Sequence, residues 1–354
     1  MEIEDTQRLG NLFQLFSVID NLSFIYDCSK LGKEVRVVEM EKLSLVVPCY
    51  NEEQTIPLFF AAVEKIRPTL ANISIEYIFV NDGSKDQTLT VLREMALKYP
   101  DAIRYLSFSR NFGKEAALFA GLEHATGEYI AVMDVDLQDP PELLPQMLHL
   151  IRQEKYDCVG TRRVSRKGEP AIRSFLAKEF YRLMNRISAV EFVDGARDYR
   201  LMTRQMVEAI LSMTEVNRFS KGIFSWVGFD TTYLEYENKE RAAGKTSWSL
   251  WSLFKYSLDA IVDFSDIPLA IASFVGLFSF LISLFFMIVI VIRTVLFDDP
   301  TAGWPSLVTI ILAIGGLQLF CLGIVGKYLG KTYLESKKRP IYILKETDSD
   351  KKKD

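Results

Sequence analysis

The sequence predicts an α/β domain built on a mostly parallel sheet, followed by interfacial amphipathic helices and two C-terminal transmembrane helices. Three observations carry this. Short apolar, partly β-branched runs alternate with helix-period segments from residue 43 to residue 160. Loops rich in carboxylates follow three of those runs, at the sheet edge where open α/β folds bind ligands. Near the C-terminus, two stretches long enough to cross a bilayer carry no charged side chain.

Residues 1–39 form an extension. Leu12, Leu15, Phe16, Ile19 and Leu22 follow a helical stripe, and the basic start and cleavage site of a signal peptide are missing. The stripe suits an accessory helix, and Met40 is a plausible alternative start. The α/β domain is expected over 40–247. Within it, strands are predicted at 43–47, 75–80, 103–108, 129–133 and 156–160, and helices at 55–67, 87–98, 114–125 and 142–153. This alternation requires helices on both faces of the sheet.

The fourth strand leads into Asp134-Val135-Asp136-Leu137-Gln138-Asp139-Pro140-Pro141. Its prolines cannot continue a ladder, so Asp134 and Asp136 fall at the strand's carboxyl end. Two carboxylates one residue apart, with the Gln138 amide nearby, are hard oxygen donors. They suit Mg²⁺ or Mn²⁺ completing its shell with phosphates. The first strand runs into Pro48-Cys49-Tyr50-Asn51-Glu52 and the second into Asn81-Asp82-Gly83-Ser84-Lys85-Asp86. The topology therefore gathers Glu52, Asp82, Asp134 and Asp136 into one crevice. Such carboxylates repel unless a cation and hydrogen-bond donors offset them, and a metal with a nucleoside provides both.

Composition excludes other classes. With 42 Lys and Arg against 46 Asp and Glu, the net charge of −4 argues against nucleic-acid binding. The four scattered cysteines form no disulfide or zinc pattern, and the two histidines, His124 and His149, lie on predicted helices. Neither a dinucleotide fingerprint nor a P-loop occurs.

These loops, together with Ser109-Arg110-Asn111-Phe112-Gly113-Lys114, resemble glycosyltransferase family 2 with its GT-A fold, in particular the polyprenyl-phosphate glycosyltransferases. The resemblance covers about residues 43–344. It implies that Pro48, Tyr50, Glu52 and Asp82 hold the nucleoside, and that Asp134 touches ribose and metal. It implies that Asp136 and Gln138 bind the metal, and that Lys114 approaches the diphosphate. A segment at 160–190 would be the acceptor loop and amphipathic helix, and it is basic here: Arg162, Arg163, Arg166, Lys167, Arg173, Lys178, Arg182 and Arg186 face only Glu169 and Glu179. Guanidinium forks match phosphate geometry, and a basic amphipathic helix suits a membrane interface. By position, Arg162, Arg173 and Lys178 are the candidates for the lipid phosphate.

The segment Asp194-Gly195-Ala196-Arg197-Asp198-Tyr199-Arg200-Leu201 resembles the family's Gly-Asp-Phe-Arg-Leu, with Arg197 in place of the usual Gly. Asp198 matches the Asp often assigned as catalytic base. A phosphate monoester has its second pKa near ~6 and needs little deprotonation, so Asp198 is expected at the reacting centre in an orienting role. Residues 229–237 alternate like an edge or hairpin strand. Arg241 and Lys245 then lie on a loop resembling the one that closes over the diphosphate.

Trp248, Trp251, Phe254 and Leu258 mark an interfacial segment over 248–268. Ser265-Asp266-Ile267-Pro268 starts a helix. Residues 269–292 are 24 without a charge, and 305–326 form a second such run. Lys327, Lys331, Lys337, Lys338 and Arg339 follow, so the positive-inside rule puts the tail (329–354) and the catalytic domain in the cytosol of a multi-pass cell-membrane protein. The combined expectation is an inverting transferase moving sugar from a nucleotide sugar, with UDP the expected nucleotide, to polyprenyl phosphate, undecaprenyl phosphate in a bacterium. Self-association is expected from the resemblance, with Gly326-x-x-x-Gly330 as a packing feature. A processive polysaccharide synthase and a non-catalytic nucleotide-binding scaffold are the alternatives. The first is disfavoured by having two spans and no Gln-x-x-Arg-Trp, the second by the basic acceptor segment.

Overall fold

The computed structural model describes residues 40–164, 171–188, 190–237, 261–297 and 303–350. The expectations for the N-terminal extension, for Arg241 and Lys245, and for the tryptophan-bearing interfacial segment lie outside the described residues.

The chain first builds β1 (Glu41–Cys49), α1 (Thr55–Ile66), β2 (Ile73–Asn81), α2 (Thr88–Lys98), β3 (Ile103–Phe108), α3 (Lys114–His124), β4 (Tyr129–Val132) and α4 (Leu144–Glu154). β1 pairs in parallel with both β2 and β4, and β2 with β3. Side chains of β1 alternate between two cores, as the two-residue period of a strand requires. Leu43, Leu45 and Val47 pack with Phe59 and Val63 of α1 and Leu144 and Met147 of α4. Val46 faces the other way, into a core with Ala117 and Ala120 of α3. Gly121 permits that close approach: a Cβ there would lie 2.2 Å from the Val46 Cγ1.

The remainder departs from simple alternation. β5 (Cys158–Arg163), α5 (Ala171–Ile187), β6 (Ala196–Thr203), α6 (Arg204–Ser212), α7 (Ser220–Trp226) and β7 (Thr231–Tyr236) follow. The eight-stranded order is β7-β5-β6-β4-β1-β2-β3, closed by β8 (Leu344–Thr347). β6 inserts antiparallel between β4 and β5. Asp198 lies on this strand. One sequence expectation is corrected here: Arg162, placed in the acceptor loop at 160–190, lies on β5 ahead of it. β7 occupies the outer edge, parallel to β5, where the alternating pattern of 229–237 put a strand.

α5 carries Arg173 and Lys178, whose side chains lie outside the described residues. Its second half is not wholly given to a membrane face. Met184 is buried with Phe192 and Phe219, and Phe180 and Ile187 pack against them, while Leu183 is exposed. Ile261 and Phe264 join the same cluster.

Two long apolar helices end the chain, α8 (Ile267–Phe297) and α9 (Trp304–Ser336). Both carry windows long and apolar enough to cross a membrane, with surfaces left exposed. The second helix continues ten residues beyond the predicted span of 305–326, to Ser336. That extra length reaches back to the sheet domain. The Tyr328 hydroxyl donates to the Ser265 carbonyl at 2.6 Å, Lys331 pairs with Asp263, and the Glu335 carboxylate accepts the Val216 and Asn217 amides at 2.9 and 3.0 Å. The tail then adds β8 antiparallel to β3, a strand the sequence did not announce, where Glu346 pairs with Arg93 and accepts the Tyr105 hydroxyl at 2.6 Å.

Candidate active site

The first two loops at the carboxyl edge are fastened to each other. The Asn51 amide donates to Ser84 Oγ and the Lys85 amide returns to Asn51 Oδ1, both at 2.9 Å. The Glu52 amide donates to Thr88 Oγ1 at 2.8 Å, and the Gln87 amide to Glu53 Oε2 at 2.9 Å. Asn51 holds φ of +57°, a left-handed conformation that asparagine tolerates. Pro48, next to last in β1, pairs with Val80, Tyr50 stands exposed, and the Glu52 carboxylate accepts the Thr55 hydroxyl.

Asp82 reaches the third loop. Its two oxygens accept the Phe112 and Gly113 amides at 2.6 and 3.0 Å, and the residue is buried. Burial raises this carboxyl despite those amides and Arg110. Asp82 therefore shapes the loop that precedes Lys114.

The centre of the site follows from strand register. β4 and β6 pair Tyr129 with Thr203 and Val132 with Arg200. Continued two residues past the end of β4, this register sets Asp134 opposite Asp198. Two facing carboxylates need a cation, and Lys114 at the start of α3 supplies it: its Nζ lies 2.6 Å from Asp134 Oδ1 and 2.6 Å from Asp198 Oδ2. Burial works against the ammonium, but Asp134 and Asp198 outweigh it and raise the Lys114 pKa. Burial would likewise raise Asp198, but Lys114 and then Lys221 hold that carboxyl far below its usual range. Sequence reasoning aimed Lys114 at the diphosphate. In this structure it bridges two carboxylates.

Asp136 is buried and accepts the Gln138 amide at 3.1 Å; Leu137 between them has φ of +56°. Asp134 and Asp136 thus remain two hard oxygen donors on one turn, suited to a divalent cation that takes its other ligands from phosphate and water. Among the described residues, no three acidic, His or Cys side chains converge as a ready-made metal cage.

Four further residues were not singled out from sequence as site groups. Arg200 is buried, lies 3.8 Å from the Phe224 ring centroid, and donates from Nη2 to the Arg197 carbonyl at 3.1 Å. Lys221 donates to the Ala196 carbonyl at 3.3 Å. A cavity of about 10 Å³, room for a single water, lies between Phe192, Arg200, Lys221 and Tyr233. Asp139 and Tyr236 form a buried cluster with Arg197. The signal for Arg200 was present, in a motif quoted for Asp198. Lys221 and Tyr236 carried none, because they reach the site from other elements. Arg162 stands to one side, with Nε donating to the Asp194 carbonyl at 3.0 Å and Nη1 3.7 Å from Glu235.

Residues 44–211 match Glycosyl transferase family 2. The chain is 43% identical over 306 residues to a prophage bactoprenol glucosyl transferase homolog of Escherichia coli (strain K12), covering 86% of this chain and 98% of that one. It is 41% identical over 308 residues to the putative glycosyltransferase CsbB of Bacillus subtilis (strain 168), covering 86% and 92%. Among solved structures, a mannosyltransferase from Pyrobaculum calidifontis in complex with GDP-Man and Mn²⁺ aligns over 92% of this chain and 96% of that one, with 13% identity and a TM-score of 0.42.

Proposed function

The chain belongs to glycosyl transferase family 2 and is a glycosyltransferase, and we propose that it moves a single sugar from a UDP-sugar to a polyprenyl phosphate at the inner face of the cell membrane. The observation that carries this reading is the Lys114 bridge, which joins the donor-side Asp134 to Asp198 on the strand next to the basic segment. Relatives named bactoprenol glucosyl transferase, matched over nearly their full length, support the acceptor class.

In this reading Pro48, Tyr50, Glu52 and the Asp82-braced loop receive the nucleoside. Asp134 and Asp136, with Gln138, would hold Mg²⁺ or Mn²⁺, which supplies charge neutralisation of the diphosphate when bound. The acceptor phosphate oxygen forms a bond to the anomeric carbon as the bond from that carbon to the diphosphate oxygen breaks. The electron pair leaves with the nucleoside diphosphate, and configuration inverts. No proton need move, since the phosphate is mostly dianionic at neutral pH. A carboxyl held as low as Asp198 is a poor proton acceptor, so Asp198 orients Lys114 and the reactants. Arg162, Arg173 and Lys178 would meet the lipid phosphate, and Arg241 and Lys245 would cover the leaving diphosphate. Catalysis then rests on positioning and on fixed charge.

The catalytic domain would occupy 40–247, the interfacial segment 248–268, two bilayer spans 269–328 and a cytosolic tail 329–354, with the tail strand β8 returning to the catalytic sheet. Lys327, Lys337, Lys338 and Arg339 support the cytosolic orientation, and self-association belongs to the same reading.

The test is nucleoside diphosphate release by the purified full chain with undecaprenyl phosphate and Mn²⁺ across a panel of nucleotide sugars. Lipid-dependent release with one donor, giving a one-sugar lipid product, is expected. Lipid-independent release or polymer would overturn the acceptor assignment. In the same assay Asp136→Asn should abolish turnover while leaving the melting temperature within a few degrees of wild type. Retained wild-type turnover would refute the metal role.

A further inference from the structure

Asp139, one residue after Gln138, is completely buried although it is a carboxylate. Its Oδ1 accepts Arg197 Nε at 3.2 Å and the Tyr236 hydroxyl, and its Oδ2 has no partner among the described residues. A buried carboxylate left half-satisfied is expensive, and it persists only where its partners are held firmly in place. These partners come from separate elements. Arg197 sits on β6 directly before Asp198, and Tyr236 is the last residue of β7. Asp139 belongs to the turn that carries Asp134 and Asp136. The cluster therefore spans the three elements that surround the reacting centre.

Strand geometry explains why this cluster is separate from the Lys114 bridge. Along β6 successive side chains leave on opposite faces. Asp198 meets Lys114 on one side, while Arg197 meets Asp139 on the other. The Asp134–Asp139 turn and the β6 strand are thus held from both faces. The Asp139 link is the less exposed of the two, with Arg197 and Asp139 side chains 27% and 0% exposed against 37%, 24% and 19% for Lys114, Asp134 and Asp198.

We propose that Arg197 is a positioning residue of the transfer reaction: clamped by Asp139 and Tyr236, it fixes the distance between the donor-binding Asp134–Asp139 turn and Asp198 on the acceptor side. The proposal rests on the donor and acceptor assignment given above. It separates two kinetic quantities. The nucleoside is held by the loops of β1 and β2, which the clamp does not touch, so uridine diphosphate affinity depends on the clamp far less than the rate does. The rate after binding does depend on it, because a displacement of about 1 Å between reacting groups can cost roughly 10²-fold.

The test uses the purified full chain. Arg197→Gln is combined with Asp139→Asn, so that no buried charge is stranded, and Arg197→Lys is made alone. Binding of uridine diphosphate is measured by calorimetry with Mn²⁺, and lipid-dependent turnover and melting temperature are measured beside wild type. The paired variant should bind uridine diphosphate within about threefold of wild type, yet lose roughly 10- to 100-fold in kcat. Arg197→Lys, which keeps the charge that meets Asp139 through Nε at 3.2 Å, should recover kcat to within about fivefold of wild type. Three results would overturn the clamp: unchanged kcat in the paired variant, a loss of donor affinity matching the loss of rate, or a fall in melting temperature that the lysine variant does not relieve. Wild type that binds uridine diphosphate but never turns over with lipid phosphate would overturn the transfer reading, and the clamp's role with it.

Discussion

Replacing Lys114 with methionine removes a cation that touches both Asp134 and Asp198, while keeping most of the side chain's volume. At the observed 2.6 Å, each contact has a Coulomb energy of about 6 kcal/mol with an effective dielectric constant of ~20, before desolvation is counted. Stranding a fully buried partner costs roughly 3–5 kcal/mol. The Lys114, Asp134 and Asp198 side chains are 37%, 24% and 19% exposed, so solvent screening lowers this to about 2 kcal/mol. The sign with pH follows from Asp198. Its carboxyl is depressed in the folded protein, so its contribution is full above the unfolded value near ~4 and is lost as pH falls below it. Thermal melts of wild type and Lys114→Met should therefore differ most at neutral pH, by several degrees, and converge in acid. Turnover should fall on the order of 10²-fold, the usual effect of losing one fixed charge at a reacting centre. Equal melting temperatures at pH 7, or a gap that fails to narrow on acidification, would refute the bridge.

Two further outcomes concern the frame around the site. Burial would raise Glu76, but Lys42, Ser44 and Thr126 hold the carboxyl below its usual range, so Glu76→Gln should destabilise the domain by about 2 kcal/mol at pH 7. In chemical denaturation, that deficit should shrink as pH falls below the unfolded value near ~4, because the wild-type advantage of a depressed carboxyl vanishes there. Gly83 has φ of +63°, and a Cβ on it would lie 2.4 Å from the Arg110 carbonyl carbon. Gly83→Ala should cost about 1–3 kcal/mol, displace the loop held by Asp82, and weaken nucleotide binding measured by calorimetry.

Much of this architecture was legible in the residues themselves. The runs that became β1 to β4 are apolar on both faces, as a strand covered by helices on each side must be, and only their ends moved by a residue or two. The Asp134–Pro141 turn announced itself because carboxylates and prolines cannot sit inside a buried strand. What stayed hidden lies after residue 160. β6 is eight residues long but carries Arg197, Asp198 and Arg200, charges that hide it from a search for apolar runs. It becomes a strand because β4 and β5 both present unpaired edges to it. β8 has only Leu344 as an apolar residue, and its place depends on an Arg93 that lies 253 positions away.

The sequence by itself determined the α/β alternation, the loops that gather the donor-side carboxylates and the two uncharged C-terminal runs. Each of these follows from side chains adjacent in the chain, through periodicity, the rigidity of proline and the cost of burying charge. Only the tertiary structure decided that Asp134 faces Asp198, that Lys114 joins them, and that Asp139 claims Arg197 and Tyr236. Lys114 and Asp198 lie 84 residues apart, and Asp139 lies 58 and 97 residues from Arg197 and Tyr236. Such pairings follow from the order and direction of strands in the sheet, which local propensity does not encode.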